Sequence, residues 1–256
     1  MKPCHRSLAL FAGACAFAVS GVASAATWTF NNVTSDTQTG VTATASAWAN
    51  TAGSTNTLLE SAYLTTWGSS GLGVKNKDYN AGDTNEGIDP EHAIDNDQRK
   101  DSVLFSFTGD KVNLTSTYFG WVSGASGYGD SDFSVYAFTG AGLANLAGVT
   151  YTDAGMATAG WTLVGHHSGG SSAGWKTINA SDIYSSYWLI GANAGANDSK
   201  KDAFKLLKIA GTTCADNPKA NGCGYTPPGG VPEPGTLLLM GAGFLGMTRL
   251  MRRQKS

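Results

Sequence analysis

The chain has 256 residues, with 17 basic and 19 acidic side chains and a net charge of −2. Lys2, Arg6, Arg249, Arg252, Arg253 and Lys255 lie at the two ends, so residues 26–235 keep 11 bases against all 19 acids, a net of −8. That balance argues against charge-driven binding of nucleic acid or anionic lipid and is compatible with cations or neutral glycans.

In chain order, Lys2 and Arg6 form a basic n-region and Leu8–Val22 an apolar h-region. Ala23-Ser24-Ala25 then supplies small residues at a cleavage site, which predicts Sec export and cutting before Ala26. An uncleaved membrane anchor is the first alternative. Lipidation at Cys15 is the second, but Phe11-Ala12-Gly13-Ala14 before it lacks the usual leucine.

Short β-type runs between turn signals follow. Strands are predicted over Ala26–Val33, Val41–Asn50, Ser102–Thr108, Lys111–Val122, Ser131–Thr139, Thr162–His166, Lys176–Ile178, Tyr187–Ala192 and Ala203–Ala210. Thr57–Thr65 reads as a strand or a short helix. Ser69–Asp101 reads as a loop with a hint of helix at Glu91–Ile94, and Ala141–Gly160 as an irregular arm in which Val149–Thr152 could form a short strand. Gly-rich turns and the lack of a long amphipathic helix point to an all-β body, one β-sandwich or jelly-roll-like domain with long loops. The predicted organisation is a signal peptide (1–25), this body (26–225), a Pro/Gly linker (226–235), an apolar transmembrane helix (236–251) and a basic cytoplasmic tail (252–256).

Asp78–Asp101 holds eight of the nineteen acids in 24 residues, interleaved with Asn80, Asn85 and Asn96. Oxygen ligands so closely spaced repel unless solvated or bridged by a hard cation, and Ca²⁺ takes six to eight such oxygens from irregular loops. Asp83, Asp89, Asp95 and Asn96 are the expected ligands; the alternative is a solvated acidic loop, and no cofactor is required. Asp130–Asp132 reads as turn chemistry before a strand, or as a second acidic loop. Trp67, Tyr79, Tyr128 and Trp175 stand in Gly-rich stretches and are the candidates for stacking on a sugar ring.

Catalytic motifs are sparse, and the body is expected not to be an enzyme. Gly170-Ser171-Ser172-Ala173-Gly174 matches G-x-S-x-G in letters, but it lies between β-like runs, whereas a nucleophile elbow needs a strand, a turn and a helix. His166 and His167 precede the serine, the reverse of the hydrolase order. Cys214 and Cys223, with eight residues between them in a loop-like stretch, are expected to form a disulfide in an oxidising compartment; a two-cysteine metal site is the rival.

The tail is the most specific feature. Val231-Pro232-Glu233-Pro234-Gly235 precedes the apolar run Thr236–Thr248, which ends in Arg249, Arg252, Arg253 and Lys255. The run falls short of the ~20 residues of a spanning helix, as suits a temporary anchor. This tripartite tail resembles the PEP-CTERM sorting signal of Gram-negative bacteria. The resemblance implies processing by exosortase, a transient inner-membrane intermediate, and transfer to the cell surface or an exopolysaccharide matrix; a purely structural matrix role predicts loss of biofilm cohesion on deletion. Glu233, held extended between two prolines, is the expected recognition element. Asp83–Asn96, Asp101–Phe107, Gly120-Trp121, Asp130–Val135 and Tyr187–Gly191 resemble a family of exosortase-dependent surface proteins over roughly Gly82–Gly211. That likeness implies no activity for the body. A loop running into a buried strand is also similar, in fold only, to discoidin-type jelly-roll modules. The expected role is a non-catalytic structural or adhesive surface protein, with a calcium-dependent carbohydrate-binding module as the alternative.

Overall fold

A computed structural model describes residues 25–80, 92–179, 181–195 and 200–224, with backbone only at 79 and 80. In chain order its strands are β1 (Ala26–Thr29), β2 (Ser35–Gln38), β3 (Val41–Ala52), β4 (Leu58–Ser61) and β5 (Tyr63–Thr66). There follow β6 (Leu72–Lys75), β7 (Ile94–Asp95), β8 (Asp101–Thr108), β9 (Val112–Val122) and β10 (Tyr128–Asp130). The series closes with β11 (Phe133–Phe138), helix α1 (Asp153–Thr158), β12 (Trp161–His167), β13 (Gly174–Thr177), β14 (Tyr187–Ala192) and β15 (Lys201–Thr213).

The body is β-rich, as expected, and its strands form two sheets. The first runs β13-β9-β15-β6-β5, with β1, β7 and β10 also paired to β15. The second runs β12-β11-β14-β8-β3-β2, with β4 on β3. Pairing is antiparallel throughout these sheets except between β10 and β15.

Alternation of side chains along each strand creates the shared core. Trp28, Leu114, Phe119, Phe204, Leu206 and Ile209 of the first sheet meet Phe105, Phe133, Val135, Trp188 and Ile190 of the second. Trp28 packs edge-on to Phe107 at 5.1 Å and Phe119 to Phe133 at 5.0 Å between ring centroids. The indole N–H groups of Trp28 and Trp188 each reach a backbone carbonyl, Val41 and Val112, so these buried donors are satisfied.

A second, smaller core lies on the other face of the second sheet. There Tyr136, Leu104 and Leu189 are covered by Leu146, Tyr151, Met156 and Trp161. The covering residues belong largely to the 141–160 arm, which carries α1 and bridges to β4 through Leu58 and Thr150. The Thr152 side chain caps α1 by accepting the Gly155 N–H.

Several local expectations change. Thr57–Thr65 resolves into two strands, β4 and β5, on different sheets. Ile94, in the segment hinted as helical, pairs with Phe204 in β7, and β6 occupies part of the stretch read as loop. In β6, Gly73 hides the strand pattern because the His92 carbonyl passes where a Cβ would stand. β2 is a polar edge strand with no buried side, so no apolar alternation betrays it. The expectations for 1–24 and 225–256, including Ala23, the linker, the apolar helix and the basic tail, lie outside the described residues. Among the described residues no helix is long and apolar enough to cross a membrane.

Candidate functional site

The outward face of the first sheet gathers aromatic and basic side chains because two register shifts align them. Lys205 pairs with Trp121, Leu206 with Phe119 and Lys208 with Tyr118, so Gly120 and Leu207 are skipped as bulges. Phe119 and Leu206 stay in the core. Trp121, Tyr118, Lys205 and Lys208 consequently share the opposite face. Lys205 Nζ lies 4.4 Å from the centre of Trp121 and 4.7 Å from that of Trp67, and Lys208 Nζ lies 5.7 Å from that of Tyr118. Trp175, on β13 opposite Tyr118, meets it edge-on at 5.3 Å.

Trp67 is placed by a tight turn at Gly68–Ser70. The Asn32 carboxamide oxygen accepts the Gly68 N–H at 2.8 Å, and the Trp67 indole N–H donates to Thr65 Oγ1 at 2.9 Å. At Gly71, with φ of 96°, a Cβ would collide with the Leu206 carbonyl, so the turn seats against β15 only with glycine there. His92 stacks on Trp67 at 4.1 Å. His92 and Lys205 are 8% and 4% exposed, so Trp67 covers them while remaining 44% exposed itself; Trp175 is 49% exposed.

Of the four stacking candidates, Trp67 and Trp175 are therefore on this face. Tyr128 sits elsewhere: its hydroxyl donates to Asp97 at 2.6 Å and Lys201 Nζ lies over its ring. The Tyr79 side chain lies outside the described residues, as do Asp83 and Asp89.

The other expected ligands do not meet as a set. Asp95 is buried and accepts the Asp97 N–H, whereas Asn96 reaches across to β15. Asn96 Nδ2 donates to Asp202 Oδ2 at 2.6 Å, and the Asp202 N–H donates back to Asn96 Oδ1 at 2.9 Å. Asp202 Oδ1 accepts the Asp132 N–H at 2.8 Å. Carboxylate oxygens of Asp130, Asp132 and Asp202 fall within 4.8 Å of one another. Sequence reading marked Asp130 and Asp132 but missed Asp202, which stands in a lysine-rich strand without an acidic neighbour. Hydrogen bonds also tie Asp132 to the Gly169 N–H and Asp130 to the Ser131 N–H, so the cluster fastens three loops together.

A serine–histidine–aspartate chain unmarked in the sequence crosses the second sheet. Ser134 Oγ lies 2.8 Å from His166 Nδ1, and His166 Nε2 lies 3.2 Å from Asp153 Oδ2. Burial pushes the Asp153 carboxyl up. Hydrogen bonds from Tyr136 and His166, with the charges of His166 and Lys100, outweigh burial and hold it below the usual carboxylate range. Ser134 is fully buried in β11, between β12 and β14, and its Oγ accepts the Ala194 N–H at 2.8 Å. A nucleophile needs an open approach to its oxygen, which this packing denies. The Gly170–Gly174 stretch joins β12 to β13, strand to strand, and its Ser172 is exposed.

Cys214 and Cys223 are joined as a disulfide with Cα atoms 5.3 Å apart. The loop they close lines an open cleft of about 770 Å³ together with Thr139, Gly140, Gly142 and Ser181–Tyr187. Lys111 ties the loop down by donating to the Gly222 carbonyl, and the Asp110 carboxylate accepts the Ala215 N–H.

Beyond this loop, residues 230–254 match the PEP-CTERM protein-sorting motif. The chain carries a PEP-CTERM sorting signal. The match spans Val231, Pro232, Glu233, Pro234 and Gly235 as well as Arg249, Arg252 and Arg253. No curated protein matches the chain at a significant level. The PEP-CTERM signal marks the chain as an exosortase-targeted protein destined for secretion and surface anchoring.

Proposed function

We propose that the chain is exported by the Sec translocon through residues 1–25, with cleavage between Ala25 and Ala26. The apolar segment 236–251 then holds it in the inner membrane of a Gram-negative cell, with the basic tail in the cytoplasm. Exosortase cuts near Pro232-Glu233-Pro234 and passes the body to an envelope or exopolysaccharide matrix. There the body acts without catalysis, as a structural or adhesive component. The observation that carries this reading is the sorting motif at 230–254. Replacing Pro232, Glu233 and Pro234 by alanine should leave an unprocessed membrane-bound form on an immunoblot. Unchanged processing would overturn the reading.

The alternative is a calcium-dependent carbohydrate-binding body. The exposed indoles of Trp67 and Trp175 favour its carbohydrate half. Its calcium half, centred on Asp130, Asp132 and Asp202, makes a separate prediction. Millimolar Ca²⁺ should raise the melting temperature, and Asp132→Asn should abolish that rise. A melting temperature indifferent to both Ca²⁺ and chelator retires it.

A further inference from the structure

We propose that the outward face of the first sheet is a binding platform for an acidic polysaccharide, engaged without calcium. The proposal rests on the adhesive reading of the body and names its ligand class. Two kinds of chemistry meet on this face. Trp175, Tyr118, Trp121 and Trp67 offer flat apolar surfaces, of which Trp67 and Trp175 are the most open. Such surfaces suit the C–H faces of pyranose rings. Lys208 sits among them and supplies positive charge at the surface, while Lys205 is buried beneath Trp67.

The local charge balance selects the acidic class. The body as a whole has a net charge of −8. Yet among the described residues β1, β5, β6, β9 and β13 contain no Asp or Glu, Asp95 of β7 and Asp202 of β15 are buried, and the half-buried Asp130 of β10 stands at the same end of the sheet as Asp202. Among the described residues the middle of this face offers Lys208 and no exposed carboxylate, which on an otherwise acidic body is complementary to a polymer bearing carboxylates of its own. The geometry favours an extended ligand. The Trp67 turn follows β5 at one edge, but its ring reaches over β15, where Lys205 Nζ lies between it and Trp121 of β9, while Trp175 stands on β13 at the other edge beside Tyr118. A chain laid along these rings meets Trp67, Trp121, Tyr118 and Trp175 in turn, with Lys208 beside Tyr118.

Nucleic acid shares stacking and negative charge, but its charge density is repelled by the surrounding acids, whereas a polysaccharide with at most one carboxylate per sugar matches the sparse positive charge around Lys208. The pre-built support is visible beneath Trp67. Lys205 and His92 hold its inner side, and Gly71 allows the turn to seat, so little ordering remains for binding.

The test titrates the full chain in mild detergent with polygalacturonate, a neutral cellulose derivative and oligothymidylate, in chelator at low salt, reading tryptophan fluorescence. Polygalacturonate should bind most tightly, with affinity falling as salt is added. The Trp67→Ala/Trp175→Ala double variant should weaken it by about tenfold or more, and Trp175→Ala alone, which uncovers neither His92 nor Lys205, should weaken it at unchanged melting temperature. Lys208→Gln should lower polygalacturonate affinity towards that of the neutral polymer and flatten the salt dependence. Absence of binding by the wild-type chain, or equal binding by the double variant, overturns the proposal. Tighter binding of oligothymidylate overturns it in favour of nucleic acid, and binding that needs Ca²⁺ transfers the ligand to the calcium reading. None of these outcomes alters the immunoblot expected of the sorting signal, so the two readings fail separately.

Discussion

Ser134 occupies a position where a small polar side chain carries three neighbours. Its Oγ takes the Ala194 N–H, contacts His166 Nδ1, and lies 3.5 Å from Asn193 Oδ1. Ser134→Ala strands a buried backbone donor and the histidine together, and should cost about 1–3 kcal/mol in denaturant unfolding. A loss near zero would show that the chain of hydrogen bonds contributes nothing to stability. Its neighbour His167 stacks on Phe133 at 5.0 Å, and its Nε2 is buried without a partner among the described residues. Burial, then the nearby His166, push the His167 pKa down, against an opposing backbone hydrogen bond with Ile178. The unfolded chain therefore takes up this proton first, near pH ~6.5. Stability is complete above that value and falls as pH drops from it to the lower folded value, levelling below. His167→Phe should flatten the decline in melting temperature between pH 7 and pH 5; an identical slope in both proteins would contradict it.

At the scale of elements, the disulfide loop is the clearest test. Closing so short a loop contributes about 2–3 kcal/mol by constraining the unfolded chain. The Cys214→Ser/Cys223→Ser pair should lose that amount in guanidinium titrations, and reducing agent should have no further effect on it. This pair was legible from two cysteines and their loop-like spacer. So were β8, β9, β11 and β14, whose apolar residues alternate or run consecutively. The edges were not legible. β2 is polar because it buries nothing, and β6 contains a glycine because a neighbouring carbonyl leaves no room. The arm over the second sheet read as featureless, since its Ala and Gly residues carry little pattern. Its anchors, Leu146, Tyr151 and Met156, find partners only through tertiary contact. The aromatic face was half visible. Trp67 and Trp175 stood out by their Gly-rich surroundings, but the alignment of Lys205 and Lys208 depends on two bulges that no periodicity announces.

For the whole molecule, the sorting signal and the body are written in different languages. Proline, charge and hydrophobic length specify the first within 25 residues, so linear sequence suffices to read it. The body's candidate surfaces are assembled from strands far apart in the chain. Asp202 meets Asp132 across 70 residues and Asn96 across 106, which is why Asp202 escaped notice.

β15 is also placed to bear load. It pairs with β1, β6, β7, β9 and β10, and its last residue adjoins the disulfide loop from which the chain continues to the sorting signal. A body tethered through that end is pulled along the axis of β15. Its ladders to β1 and β9 lie across the line of force, because antiparallel hydrogen bonds run perpendicular to their strands. They are loaded in shear, all at once, and do not unzip one by one. The strand that organises the first sheet is thus also its tow line, and flow or drag on an attached cell would draw on the most extensively paired strand of the body.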